Sequence, residues 1–215
     1  MATFTEPFTT SLTLTSTLVF GSDTGLAMSG TTQGTMTGTG ENRVRFEHAT
    51  GSPDMMSQIT WVSGAGDADR SVAVITRYAA AADTCYVFEV NDNQNRWQLM
   101  CYVAGTPTSL SGGTVARAIA TPVTIRLESQ GTLHRCYIDN IQVGAYTDST
   151  ITTGDRGGIH CWAPNSLPVL DNFVTGSFPT ERAAPDAILA QTGLTGAVAA
   201  IQDDPDSPDG SWLTA

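Results

Sequence analysis

The feature that most constrains this chain is an apolar pattern that repeats every two residues. In the run 11–20, Leu12, Leu14, Leu18 and Phe20 share one face and Thr dominates the other. Tyr86, Phe88 and Val90 share a face from which Glu89 points away. Trp97, Leu99, Cys101 and Val103 alternate in the same way, and so do Val123, Ile125 and Leu127. Successive side chains of a strand point to opposite faces, so each run reads as a strand with one buried side. The stretches 43–48 and 55–62 also read as strands, and SVAVITRY at 71–78 is a continuous β-rich run. The segment 91–95 reads as a turn, and Asp139-Asn140 reads as a tight hairpin loop. No sustained helical period is present before about residue 184. With 21 Gly and 10 Pro punctuating the chain, these runs predict an all-β fold, a two-sheet antiparallel jelly-roll sandwich with ten or more short strands.

Charge narrows the function. Basic residues number 10, all of them Arg, against 21 acidic ones, for a net charge of −11. Such a surface repels nucleic-acid phosphates and anionic lipid, so neither nucleic acid nor a membrane is an expected partner. No run of 18 apolar residues is present, and the opening MATFTEPF lacks the basic and apolar regions of a signal peptide. The expectation is a protein made in a cytoplasm. Cys85, Cys101, Cys136 and Cys161 form no CxxC pair, have no His at metal-ligand spacing and sit in apolar runs. They are expected as buried free thiols.

Composition changes after Phe178. A proline-bearing linker leads into AILAQTGLTGAVAAI, a candidate short helix, and then into the acidic, turn-rich DDPDSPDGSWLTA. The expected organisation is a sandwich over 1–178 and a docking extension over 179–215. The extension is too short to bury a core alone. Its Trp212 and Leu213 are the side chains expected to dock on a sister subunit or partner.

Several pieces of the stretch 70–174 then resemble one family. Arg77-Tyr78 is followed by YVFEV, WQLMCYVAG, VTIRLESQG and CYIDNIQV, then by the DST of 148–150, GDRGGI at 154–159 and LDNF at 170–173. In this order they resemble the concanavalin A-like, laminin G-like jelly-roll superfamily. The resemblance implies the sandwich, and it implies a calcium ion at the rim in some members, for which Asp67 and Asp69 are the candidates. No other cofactor is expected. The C-terminal segment is similar to one found in structural proteins of tailed bacteriophages. That resemblance implies a virion protein, made in the host cytoplasm.

Catalytic constellations are sparse. A retaining glycosidase needs two carboxyls about 5–5.5 Å apart, but no E-x-D-x-E pattern occurs and Glu89 has Val87 and Asn91 as same-face neighbours. No Ser or Cys sits in a G-x-S-x-G context near His48, His134 or His160. The chain is therefore expected not to be an enzyme. LDNF reads as structural, with Leu170 and Phe173 buried across a bulge. Sugar recognition calls for aromatic faces, and alternation puts Tyr102 on one face with Arg96, Gln98 and Met100, and Trp162 on one face with His160. Arg96, Tyr102, His160 and Trp162 are the candidate ligand or partner residues, unless they pack under the extension. The expected role is a virion structural protein that self-associates, most simply a head decoration protein binding other virion proteins. The alternative is a carbohydrate-binding host-attachment module of a tail or fibre that recognises cell-surface glycans.

Overall fold

The computed structural model describes residues 49–62, 71–79, 83–91, 94–115, 122–161 and 169–178 in full, together with the backbone of strand residues 3–6, 18–20, 34–35, 40–48, 63 and 162–163. The chain divides into two units, Met1–Phe178 and Pro179–Ala215. All described structure belongs to the first. Trp212, Leu213, Asp67, Asp69, the candidate helix after residue 184 and most of the run 11–20 lie outside the described residues.

The first unit is an all-β sandwich of two antiparallel sheets. Its strands are β1 (Thr3–Glu6), β2 (Leu18–Phe20), β3 (Gly34–Thr35), β4 (Gly40–Ala49), β5 (Met55–Ser63), β6 (Ser71–Tyr78) and β7 (Cys85–Asn91), followed by β8 (Arg96–Val103), β9 (Thr106–Thr114), β10 (Val123–Gln130), β11 (Leu133–Ile138), β12 (Ile141–Thr147), β13 (Arg156–Ala163) and β14 (Val169–Ser177). One sheet runs β1-β14-β5-β10-β11-β12, with β3 also on β14. The other runs β2-β4-β13-β6-β7-β8-β9. Among the described residues no helix is long and apolar enough to cross a membrane.

The alternation builds the core as the sequence predicts. Phe88, Trp97, Leu99 and Ile125 join one buried cluster, with Ile59, Trp61, Leu127 and Phe173 among its other members. Burying each such side chain is worth about 1.5–3 kcal/mol, which is what holds the two sheets face to face. Val103 ends its run 48% exposed because it sits at the last residue of β8. The continuous run 71–78 becomes β6, buried along its whole length. Its second face carries a separate cluster of Ala73, Ile75, Tyr78, Cys85, Val87, Met100 and Tyr102. All four cysteines are free and buried.

The turns also follow their residues. Asp139 and Asn140 both take positive φ, 49° and 63°, as a two-residue hairpin of the primed type requires. Leu170 and Phe173 are fully buried, and the register with β5 shifts between Asp171 and Val174. Asn172 takes φ 52° there, and its N–H donates to Asp171 Oδ1 at 2.7 Å.

One end of the sandwich is tied by a buried polar network. Arg77 is 1% exposed. Its guanidinium donates to the carbonyls of Pro53 at 2.8 Å, Ile151 at 2.6 Å and Gly131 at 2.5 Å, and meets Asp54 at 3.4 Å. Burial pushes its pKa down, while Tyr86 and Asp54 hold it up. The guanidinium therefore stays charged. Its φ of 54° is sterically unfavourable for a residue with a Cβ. Facing it, Gly154 takes φ 94° and presses on the Arg77 carbonyl, where any Cβ would collide.

Candidate functional site

Two places bring chemistry-bearing groups together. The first lies inside the sandwich. Ser129 Oγ is 2.9 Å from His134 Nδ1, and Thr76 Oγ1 is 2.7 Å from Ser129 Oγ. His134 Nε2 lies 3.3 Å from the Asp148 carbonyl, an acceptor only, so Nε2 carries the proton and Nδ1 accepts from Ser129. Thr76 then donates to Ser129. Tyr86 OH donates to Asp148 Oδ1 and accepts from the Ile151 N–H. The arrangement looks like a nucleophile with its base, but Ser129, His134 and Thr76 are all fully buried. No substrate reaches them, and the cluster is a structural knot beside Arg77.

Burial lowers the His134 pKa to about 4, with the nearby Arg77 charge lowering it further against the opposing pull of Asp148. The consequence for stability has a definite sign. Below its ordinary value of about 6.5 the imidazole of the unfolded chain takes up a proton that the folded chain refuses. Stability is then constant with respect to this group above pH 6.5 and falls as the pH drops toward 4. The loss approaches about 3 kcal/mol at the lower limit. Urea midpoints between pH 7 and pH 5 measure it. His134→Gln should flatten the slope, and an unchanged slope in that variant would assign the pH dependence to other groups.

The second place is open. A groove of about 470 Å³ is lined by Arg96, Trp97, Gln98, Ser109, Gly112, Gly113 and Thr114. Its walls are β8 and the end strand β9. Arg96 is exposed and pairs across the ladder with Thr114, and Gln98 pairs with Gly112. Gln98 Nε2 donates to Ser109 Oγ at 2.8 Å, which ties the amide to β9. Gly112 and Gly113 lie within a strand, not in a turn. A Cβ at Gly113 would stand 3.2 Å from Trp97 Nε1, and one at Gly112 would stand 3.0 Å from the Trp97 carbonyl. The floor is thus bare backbone over an indole that is 7% exposed. The groove offers amide, hydroxyl and guanidinium groups and no carboxylate.

From this groove a row of paired residues crosses the sheet. Gln98 faces Glu89, Glu89 faces Ala73, Ala73 faces His160 and His160 faces Arg43. Four strand spacings of about 4.8 Å make this row roughly 19 Å long. The pairing brings four predicted residues, Arg96, Tyr102, His160 and Trp162, onto one sheet. Of the three whose side chains are described, only Arg96 is open to solvent. Tyr102 is 4% exposed and His160 2%, and their rings meet edge to face at 6.2 Å. Tyr102 is therefore not an exposed stacking ring, because β8 is buried on its outer face near Met100 and Tyr102. Trp162 pairs with Ser71 and Glu41, and its side chain lies outside the described residues. Sequence reasoning put both Arg96 and Gln98 on this face, named only Arg96 as a candidate, and missed Ser109 and the glycine pair. The available signal was Gly112-Gly113 inside an otherwise strand-like run, a mark of close backbone approach.

Among the described residues no group of three His, Cys, Asp or Glu side chains is placed to hold a metal. The described carboxylates are engaged locally. Asp54 Oδ1 accepts from the Gly131 N–H at 2.7 Å, Asp139 Oδ1 from the Thr124 N–H at 3.0 Å, and Glu128 Oε2 from Tyr137 OH at 3.1 Å.

Comparison with known proteins places the fold. No known family profile matches the sequence, and no curated protein matches it. Solved structures do match. A carbohydrate binding module, CBM66, from Bacillus subtilis superposes with a TM-score of 0.60 at 18% identity, over 72% of this chain and 92% of that one. A Bacillus licheniformis beta-glucanase gives 0.57 at 13% identity, over 83% and 99%. The VIP36 exoplasmic/lumenal domain, in a Ca2+/Man3GlcNAc-bound form, gives 0.58 at 11% identity, over 79% and 86%. At these identities the likeness concerns fold. The chain shares the two-sheet, antiparallel jelly-roll sandwich fold of these structures.

Proposed function

We propose that this sandwich is a non-catalytic carbohydrate-binding module that holds a glycan in the groove of Arg96, Gln98, Ser109 and Thr114. The observation that carries the reading is the groove itself, an open site with hydrogen-bonding groups, a bare backbone floor and no acidic residue among those lining it. Its volume falls within the range of about 300–1,000 Å³ usual for ligand sites. Vicinal sugar hydroxyls are matched by planar guanidinium and amide groups, and the glycine backbone lets a ring approach closely. A hydrolase of this fold would need paired carboxyls at the bond to be cut. The likeness to proteins whose names state carbohydrate binding supports the ligand class.

In this proposal the module serves host attachment on a tailed-bacteriophage tail or fibre, carried there by residues 179–215. The support for that setting is the C-terminal segment's resemblance to phage structural proteins. A passive head-decoration role draws on the same segment but leaves the groove without a use.

A glycan array probed with the full chain tests the reading. The expected result is selective binding, weakened about tenfold or more by Arg96→Ala, since a hydrogen bond to a charged group is worth about 1.5–3 kcal/mol. Gln98→Ala should weaken it less. Absence of any glycan ligand, or binding indifferent to both substitutions, would overturn it.

A further inference from the structure

Positive charge is matched by acid everywhere on the described surface except at the groove. Five arginines have described side chains. Arg77, Arg126 and Arg156 each meet a carboxylate, at 3.4, 3.1 and 3.2 Å. Arg135 stands across the β10–β11 ladder from Glu128. Arg96 has neither kind of partner among the described residues, since its ladder neighbours are Asn91 on β7 and Thr114 on β9. In a chain with 21 acidic residues against 10 Arg, an exposed guanidinium without an acid is the exception.

The rest of the lining is rich in donors. Ser109 Oγ accepts from the Gln98 amide, so its own proton is left for a ligand. Ser109 and Thr114 are both exposed. Gln98 Oε1 supplies an acceptor. Arg96 and Gln98 share one face of β8, two residues and about 6.7 Å apart along the strand. The groove thus has two unlike ends. The Arg96–Thr114 end carries a full positive charge. The Gln98–Ser109 end is neutral, and there Glu89 faces Gln98 from β7 without lining the groove. A second anion at that end is repelled.

We infer that the groove takes a sugar residue bearing a single carboxylate, a uronate or a nonulosonate, with the carboxylate on Arg96 and neutral hydroxyls on Gln98 and Ser109. This rests on the reading of the groove as a glycan site and names the class of glycan. The planar guanidinium fork matches a carboxylate through two parallel N–H donors. One cation balances one negative charge. A phosphate monoester carries close to two charges and leaves an excess beside Glu89. The net charge of −11 opposes a polyanion, which spreads its charge over a wide face of the chain. A lone carboxylate responds chiefly to groups within a screening length, about 8 Å at physiological salt, and in the groove the nearest is Arg96. A neutral glycan leaves that guanidinium without a counter-charge, so the acidic one is favoured.

The test is an array bearing neutral, carboxylated and sulfated glycans, together with the same carboxylated glycans after methyl esterification, probed with the full chain. The expected result is binding to carboxylated glycans that esterification weakens about tenfold or more. Arg96→Gln should bring acid and ester to equal binding. Arg96→Lys should keep part of the preference, because the charge stays while the fork is lost. Arg96 is exposed and belongs to neither core cluster, so both variants should fold. Esters bound as tightly as acids, or neutral glycans bound in preference, would overturn the inference and leave the glycan reading standing. Sulfated glycans bound in preference to carboxylated ones would overturn the choice of carboxylate. An acid preference that survives Arg96→Gln would overturn its assignment to this groove. A chain that binds no glycan on the array would overturn the glycan reading and this inference with it.

Discussion

Arg77→Ala is expected to cost about 3–5 kcal/mol of unfolding free energy, measured by urea denaturation at neutral pH. The side chain closes one end of the sandwich by donating to three backbone carbonyls from three separate loops, at Pro53, Gly131 and Ile151. Removing it strands those acceptors in a buried setting and leaves Asp54 without its buried cation. Each unsatisfied buried group costs about 1–3 kcal/mol, which sets the scale. Arg77→Lys should recover only part of the loss, because an ammonium lacks the planar fork that reaches several carbonyls at once. A loss below about 1 kcal/mol in Arg77→Ala would show that water replaces the guanidinium at little cost.

The second large effect centres on Trp97. Trp97→Ala should destabilise by about 3–5 kcal/mol, since it empties the place where the two end strands converge. Gly144→Leu should also destabilise, by about 1–3 kcal/mol, because its side chain competes with the indole for the same space. In the Trp97→Ala background the same leucine fills the vacated volume. The two substitutions together should therefore cost clearly less than the sum of their separate effects. A double-mutant cycle in urea reads this coupling directly. Strict additivity would mean that the indole and Gly144 do not share the space described.

These two residues show what the sequence discloses and what it withholds. Trp97 was legible as a core residue, because its alternation with Leu99 and Cys101 fixes the face. So were the hairpin at Asp139-Asn140 and the bulge between Leu170 and Phe173, since both follow from short-range chemistry. Arg77 was not legible. Within SVAVITRY it reads as one more strand position, and its role depends on Gly154 and on carbonyls distant along the chain. The Ser129–His134–Thr76 chain was hidden for the same reason, because its members meet only after three strands are in register. At the candidate site, Arg96 was found by alternation. The glycine pair was read as punctuation, because a strand and a turn use the residue for opposite ends. Tyr102 was placed on the correct face, but a periodic pattern does not reveal that the outer face near it is also closed.

The groove's position at the margin of its sheet has a consequence for how such a protein changes over generations. Its lining side chains Arg96, Ser109 and Thr114 contribute nothing to either buried cluster. Substitution at those positions alters the chemistry offered to a ligand while the hydrophobic packing keeps its composition. The sandwich is thereby free to drift in recognition at nearly constant stability. A population of such chains should diversify first along β9 and the opening residue of β8, with β6 and its neighbours held fixed beneath.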